Sequence, residues 1–305
     1  MNTLSRILIS GASGLIGTAL VRDLAAPQIS VVRLVRKSQP ESQDEIGWSP
    51  ESSSTITNPL KLEGFDTVIH LSGANVAAHR WTTSYKKEIV KSRVNTTHAL
   101  ASLLAGLSDP PRTFLCASAI GIYGNRDGEV LTEISEPGTG FLAETCLAWE
   151  AACLPAKSAG IRVVNLRFGV VLSPEGGALA KMLPLFRLGL GGRLGSGRQW
   201  MSWISLPDLV RAVSHICQTP ELTGPTNMVA PMPVTNAEFT RTLADIIHRP
   251  AVFPAPAFAL RAALGQMADE GLLASARVIP EQLTRSRFRF QHGQLSSALA
   301  SLLPK

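Results

Sequence analysis

Short apolar runs alternate with longer segments of helical periodicity along roughly the first 170 residues of the chain. The runs lack the in-and-out alternation of a half-exposed strand, which is typical of parallel strands covered on both faces. They predict five buried strands, at residues 6–10, 30–36, 66–73, 112–118 and 161–169. Helical spacing predicts helices between them at residues 14–26, 83–107 and 140–160. Strands that alternate with helices predict an α/β fold with a doubly wound parallel sheet.

The pattern changes after about residue 170. A glycine-rich loop at residues 188–199 is followed by a helical pattern at 205–218 and a short late strand at 226–230. Two further helices are predicted at residues 234–250 and 255–265. We therefore predict a sheet domain over residues 1–230, with substrate-region insertions around 171–204, and a smaller, mostly helical C-terminal region over 231–305.

Three glycines, Gly11, Gly14 and Gly17, lie between the first strand and the first helix. Glycine allows a tight turn, the close approach of a pyrophosphate, and close packing of helix on strand. The helix N-terminus adds free N–H groups and a positive dipole that suit phosphate. A glycine triplet is also compatible with a plain β–α turn, but here it occupies the first turn of a βαβ chain, as the motif requires. The segment predicts a Rossmann-type dinucleotide site that also includes Ser13, Leu15 and Ile16.

The residues at the end of the second predicted strand bear on which dinucleotide is bound. A site for NAD usually has Asp or Glu there, about 20 residues beyond the glycines, to bind the ribose 2′-hydroxyl. This chain has Arg36 and Lys37 instead, with Arg33 three residues earlier. Two cations without a carboxylate favour the 2′-phosphate of NADP. The alternative is a solvated basic strand end.

Composition narrows the class of partner. The formal net charge is +6, but Lys and Arg are scattered and never occur in runs longer than two, so a nucleic-acid partner is not predicted. The four cysteines, at 116, 146, 153 and 217, lack metal-ligand spacing and predict buried, reduced thiols. No segment approaches the ~20 apolar residues of a membrane span, and the N-terminus lacks the pattern of a signal peptide. We expect a cytoplasmic protein with a small-molecule substrate and no metal.

Several stretches together resemble the extended short-chain dehydrogenase/reductases, and more closely their atypical "epimerase family" branch, which has a dedicated C-terminal domain. These stretches span nearly the whole chain and lie at residues 7–20, 65–76, 80–100, 116–124, 129–152, 166–179, 202–213 and 273–283. The resemblance implies that the cofactor extends beyond residues 11–17 and 36–37 to the ends of three later strands. The further residues implied are Leu71, Ser72, Gly73, Ala74, Ala117, Arg167, Gly169 and Val170.

The catalytic residues of the larger family are only partly matched. That family uses a Ser or Thr four residues before the Tyr of a Tyr-Gly pair, and a Tyr-x-x-x-Lys motif on the next helix. Here Ala119 lies four residues before Tyr123, with Ser118 one place earlier, and residues 141–145 contain neither Tyr nor Lys.

Three residues remain candidates for handling the substrate proton: Ser118, Tyr123 and Glu144. Ser118 lies at the C-terminus of the fourth predicted strand, where its hydroxyl could face the cofactor or be satisfied by nearby backbone. Tyr123 could supply a phenol or wall the pocket. Glu144 could act as a general base if its carboxylate lies in a cleft of low dielectric, or could be a surface charge.

Two residues of the later loop are candidates for substrate binding. Trp200 could line a pocket, and Arg193 could meet an anionic group or be solvated. The first hypothesis is an NADP-dependent oxidoreductase or epimerase acting on a carbonyl or alcohol carbon. The alternative is a non-catalytic NADP(H)-binding or redox-sensing protein. Helices 83–106 and 140–156 could pair across a homodimer, or their apolar faces could only cover the sheet.

Overall fold

A computed structural model of the chain describes residues 5–36, 42–50, 56 and 59–303. Its centre is a seven-stranded sheet in the order β11-β7-β5-β4-β1-β2-β3, in which every neighbouring pair is parallel. The predicted α/β fold with a doubly wound parallel sheet is confirmed. The strands of this sheet are β1 (Arg6–Ser10), β2 (Ser30–Val35), β3 (Glu45–Gly47), β4 (Thr67–His70), β5 (Thr113–Ala119), β7 (Arg162–Phe168) and β11 (Gly224–Met228).

Helices cover both faces of this sheet, which explains its continuous apolar strands. One face packs on α1 and α6 around residues such as Ile9, Leu20 and Leu209. The other packs on α2, α3 and α4 around residues such as Leu8, Phe114 and Trp149. The helices up to this point are α1 (Leu15–Leu24), α2 (Thr83–Ala105), α3 (Phe141–Ala151), α4 (Leu154–Ser158), α5 (Gly177–Arg187) and α6 (Leu206–Gln218).

The C-terminal region is helical and has a core of its own, formed with α5 around Phe186, Phe239 and Leu299. Its helices are α7 (Asn236–Ile247), α8 (Ala257–Leu264), α9 (Glu281–Arg285) and α10 (Leu295–Leu302), with a π-helical turn at Ala268–Leu272. Six short strands join in pairs: β6 (Val130–Leu131) with β13 (Arg277–Val278), β8 (Val170–Ser173) with β10 (Trp203–Ser205), and β9 (Trp200–Met201) with β12 (Val234–Thr235). Two of these pairs join the C-terminal region to earlier residues, and the boundary at residue 230 stays a prediction.

One predicted helix differs from the structure, and several elements, among them helix α5 and strand β3, were not predicted. The single helix predicted at 140–160 is divided, because α3 ends at Ala151 and a new helix begins after Cys153 with Pro155 in its first turn. Proline is favoured in the first turn of a helix and disfavoured inside one. The three-residue strand β3 was not predicted. Among the described residues, no helix is long and apolar enough to cross a membrane.

Candidate functional site

The glycine loop lies where the strand order reverses, between β1 and β4. Gly11 has φ of +69°, and a Cβ there would lie 2.8 Å from the Leu71 carbonyl carbon. A Cβ on Gly17 would lie 2.2 Å from the Gly11 carbonyl oxygen. Both positions therefore require glycine, and Ser13 and Gly14 between them are exposed at the start of α1. Such a bare backbone cradle at a helix N-terminus fits a pyrophosphate.

A buried polar contact fixes this loop to the neighbouring strand. Ser10 Oγ lies 2.6 Å from His70 Nδ1, and the Ser72 hydroxyl donates to Ser10 Oγ at 3.2 Å. Burial lowers the pKa of His70 to about 3, so the imidazole is neutral at ordinary pH. The ends of β1 and β4 are thus held together by neutral groups directly below Gly11. Leu15 and Ile16 pack partly into the core below α1.

The basic residues after β2 lie in different surroundings. Arg36 is exposed just beyond the strand end, and Lys37 lies outside the described residues. Arg33 forms an ion pair of 3.1 Å with Glu45 on β3. Glu45 compensates the charge of Arg33, whereas Arg36 lies at the carboxyl edge of the sheet, where a ligand of such a fold binds.

Ser118 lies near the carboxyl end of β5 and is 2% exposed. Its hydroxyl donates a 2.7 Å hydrogen bond to Oε1 of Glu150 on α3. Glu150 also accepts hydrogen bonds from Arg167, at 2.8 Å from Nε and 2.9 Å from Nη2. Because the hydroxyl proton is directed at the carboxylate, Ser118 Oγ can act towards any further partner only as a hydrogen-bond acceptor.

The pair between Glu150 and Arg167 is largely buried. Burial alone would lower the pKa of Arg167, but the hydrogen bonds and charge of Glu150 outweigh burial and raise the pKa. Sequence analysis missed Glu150. It lies four residues after Cys146 and seven after Ala143, both on the buried face of α3, and this helical spacing was the available signal.

Tyr123 is fully buried in a 3-10 turn at Ile120–Tyr123. Its hydroxyl accepts a 2.8 Å hydrogen bond from Arg167 and donates one of 2.8 Å to Oδ1 of Asn227. Burial raises the pKa of the Tyr123 phenol. In this arrangement the phenol links β7 to β11 within the protein, and its proton is directed at Asn227.

Glu144 is exposed in the first turn of α3, on the opposite face from the buried residues Ala143, Cys146 and Trp149. Leu142 lies nearer the site and packs on Gly121. The helix start is bound by Glu270 of the C-terminal region, whose carboxylate accepts from the N–H groups of Phe141 at 3.2 Å and Leu142 at 2.8 Å. A carboxylate at a helix N-terminus satisfies free N–H groups and the dipole.

The remaining predicted cofactor residues lie at the ends of β4, β5 and β7. Leu71, Ser72 and Ala74 are half-buried, Gly73 is exposed and Ala117 is buried. A Cβ on Gly169 would lie 2.6 Å from the Ser202 carbonyl oxygen, so this position also requires glycine. Val170 begins β8 and pairs with Trp203. These residues lie at one edge of the sheet, on the β4 side of the glycine loop.

The two predicted substrate residues contact different parts of the fold. Trp200 is half-buried, with the Arg277 guanidinium 4.3 Å above its ring and Gly128 beside its indole nitrogen. Arg193 is exposed and lines a cavity of about 430 Å³ with Arg241 and Arg249. The cavity is closed on one side by α7, and its arginines outnumber its one carboxylate, Asp245.

Comparison with known proteins identifies the family. The model of the NAD dependent epimerase/dehydratase family matches residues 7–229, and that of a domain of unknown function (DUF1731) matches residues 255–302. An epimerase family protein of Mycobacterium tuberculosis is 46% identical over 293 residues, 96% of each chain.

Two solved structures are also similar over nearly all of this chain. The crystal structure of the human epimerase family protein SDR39U1 with NADPH has a TM-score of 0.89 and 32% identity, covering 97% of this chain and 98% of that one. The nucleoside-diphosphate sugar epimerase of Corynebacterium glutamicum has a TM-score of 0.77 and 35% identity, covering 98% of this chain and 58% of that one. The resemblance inferred from sequence is confirmed: the chain belongs to the NAD-dependent epimerase/dehydratase family and carries the C-terminal domain of its epimerase family proteins.

Proposed function

We propose that the protein is an NADP(H)-dependent oxidoreductase or epimerase acting on a small carbonyl or alcohol substrate. The observation that supports this most directly is the glycine cradle, where Gly11 and Gly17 let the backbone approach so closely that a Cβ at either position would clash with neighbouring backbone. The exposed Arg36 at the end of β2 favours the 2′-phosphate of NADP. The NADPH in the structure of human SDR39U1 supports the same cofactor.

The chain's own residues would divide the work as follows. Residues 11–17 bind the pyrophosphate, Arg36 binds the 2′-phosphate, and the ends of β5 and β7 face the nicotinamide. The bound cofactor would supply or accept a hydride. Ser118 Oγ, whose proton is engaged by Glu150, would accept a hydrogen bond from a substrate hydroxyl and so orient it. Glu150 is positioned by Arg167 and holds Ser118 in this orientation.

The test is a titration of the purified protein with NADPH and with NADH, following energy transfer from its five tryptophans to the reduced nicotinamide. We expect NADPH to bind at least tenfold more tightly. Equal affinity for the two would contradict the role of Arg36, and binding of neither would contradict the proposal as a whole. The NADPH-loaded protein is then offered a panel of aldehydes and ketones, and the NADP⁺-loaded protein a panel of sugar alcohols, with cofactor absorbance as the readout.

A second candidate function is NADP(H) binding without turnover. It is favoured because the candidate proton-transfer side chains are either bonded within the protein or lie away from the proposed substrate site. The Tyr123 hydroxyl is engaged by Asn227, the Tyr85 hydroxyl donates to the Asn75 carbonyl, and Glu144 is exposed on the far face of α3. This hypothesis expects tight NADPH binding, no turnover with any member of the panel, and a conformational difference between the two redox forms. Hydrogen exchange with NADPH and with NADP⁺ bound measures that difference.

A further inference from the structure

Arg93, on α2, is a half-buried guanidinium at the end of β4. Its Nη2 donates to the Ala74 carbonyl at 2.9 Å and its Nη1 to the Ile89 carbonyl at 3.2 Å. The guanidinium carbon lies 5.0 Å above the Trp149 ring and 3.2 Å from the position that a Cβ on Gly73 would take. The charge is thus directly beneath the exposed Gly73.

No described carboxylate pairs with this charge, since none lies within 4.0 Å of Arg93. Burial lowers the pKa of Arg93, and the thiol of Cys146 and phenol of Tyr85 act in the opposite direction. Both are neutral groups at ordinary pH, since burial raises the pKa of Cys146 to about 12 and also raises that of Tyr85. Nearby Glu150 is already paired with Arg167. Carbonyl dipoles and a ring face stabilise the guanidinium without cancelling its charge.

The sheet order locates this cation relative to a bound dinucleotide. Across the carboxyl edge the order is β2, β1, β4, β5, β7. Arg36 follows β2 and the pyrophosphate cradle follows β1, so the adenosine half lies toward β2. The nicotinamide half then extends past β4 toward β5, which is the side on which Arg93 lies.

Resting on the proposed NADP(H) function, we propose that Arg93 is a redox-selective cofactor-binding residue: its uncompensated charge at the nicotinamide end makes the protein hold NADPH in preference to NADP⁺. The oxidised nicotinamide ring has a positive charge and the reduced ring has none. A fixed cation in a partly buried site repels only the oxidised form, and salt screens this repulsion less than it would at an exposed site. The charge therefore acts on the ratio of two affinities.

The experiment measures dissociation constants for NADPH, NADP⁺ and 2′,5′-ADP, which lacks the nicotinamide half, by calorimetry. The proteins are the wild type, R93K, and two variants that remove the charge, R93M and R93Q. The amide of R93Q can still donate a hydrogen bond to the Ala74 carbonyl. The matched control is R162M, because Arg162 is also half-buried and donates to three backbone carbonyls, but lies at the opposite edge of the sheet. Thermal melts identify any variant that does not fold.

We expect the wild type to bind NADPH about tenfold more tightly than NADP⁺, and R93Q and R93M to reduce that ratio at least threefold. R93K and R162M should keep the ratio, and affinity for 2′,5′-ADP should stay within twofold in all variants. The proposal is overturned if the wild type prefers NADP⁺, or if removing the charge weakens all three ligands equally, which would make Arg93 a structural brace. If the wild type binds none of the three ligands, the proposed NADP(H) function is overturned together with the role of Arg93. This outcome can be distinguished from failure of the Arg93 proposal alone, in which the wild type still binds the ligands.

Discussion

The Ser118 hydroxyl donates to the Glu150 carboxylate at 2.7 Å, and this contact joins the carboxyl end of strand β5 to helix α3. Glu150 is simultaneously paired with Arg167 on β7. One carboxylate therefore positions both a candidate substrate-binding hydroxyl and the strand next to it. Glu150 thus accepts three hydrogen bonds, one from Ser118 and two from Arg167.

Truncation of Glu150 should therefore be costly. E150A leaves the largely buried Arg167 without its counter-ion and should lower the free energy of unfolding by about 3–5 kcal/mol. S118A, which removes one neutral donor from a carboxylate that keeps its arginine, should cost about 1–2 kcal/mol. Urea unfolding measures both. A smaller loss for E150A than for S118A would contradict the central role assigned to the carboxylate.

Gly17 should not tolerate a methyl group. A Cβ there would lie 2.2 Å from the Gly11 carbonyl oxygen, so G17A must displace the loop. We expect a loss of about 1–3 kcal/mol in stability, typical of overpacking, together with at least tenfold weaker NADPH binding. G106A is the control, since Gly106 has φ of −91° and its nearest neighbouring atom would be 3.7 Å from the new Cβ. NADPH binding by G17A at wild-type affinity would contradict the cradle.

The charge of Arg36 should determine the choice between nucleotides. R36D places a carboxylate where the 2′-phosphate is proposed to bind and where a carboxylate suits the 2′-hydroxyl of NAD. We expect NADPH affinity to fall at least tenfold and NADH affinity to stay level or rise. Arg22, an exposed arginine of α1 that is paired with Asp23, supplies the control variant R22D. If R36D and R22D weaken NADPH binding alike, the effect is one of overall charge.

Glu133 should make stability fall as pH rises. Its Oε1 accepts from the N–H groups of Asn227 and Gln282, and burial raises the pKa of the carboxyl above 4.5. The folded protein therefore holds this proton more tightly than the unfolded chain, so the stabilising contribution is complete below the unfolded pKa and is lost as pH rises through the folded pKa.

E133Q keeps the accepting oxygen but does not titrate. We expect its melting temperature relative to the wild type to rise as pH increases from about 4 through the folded pKa of Glu133, and to level off above it. Glu136, an exposed carboxylate of the same loop, provides E136Q as the control for removing one negative charge from this loop. A difference for E133Q that is constant with pH would show that Glu133 does not titrate in this range.

The proposed homodimer through α2 and α3 depends on an exposed apolar surface. Leu147 on α3 is 42% exposed. If these helices pair between two copies, L147E should convert a dimer to a monomer in sedimentation velocity. L188E is the control, since Leu188 is 72% exposed at the end of α5. If the wild type is a monomer, the apolar faces of α2 and α3 serve only to cover the sheet.

The sheet and the glycine cradle could be predicted because each depends on local sequence. Ile7, Leu8 and Ile9 form a strand buried on both faces, and Gly11 and Gly17 follow it directly. The short strand β3 could not be predicted in the same way, because its three residues have too little pattern of their own and depend on pairing with β2.

The polar network of the site was only partly predictable. Ser118 and Tyr123 were selected by their positions at and just after the carboxyl end of β5, but their partners, Glu150 and Asn227, lie 32 and 104 residues away. Position in the chain does not determine whether a hydroxyl faces the ligand or an internal partner. Glu144 shows the same limit, because the rotation of α3 exposes it while it buries Cys146.

The Glu270 carboxylate at the start of α3 determines how far the sheet domain and the C-terminal domain can be separated. A sheet domain separated from residues 255–302 would lose the Glu270 carboxylate, which accepts hydrogen bonds from the Phe141 and Leu142 N–H groups. These two groups begin α3, the helix that carries Glu150. Recombination that exchanged the C-terminal domain for an unrelated one would thus disturb the candidate site. We therefore expect the two domains to be inherited together. A chimaera between relatives should fold correctly only where the incoming C-terminal domain supplies a carboxylate at the position of Glu270.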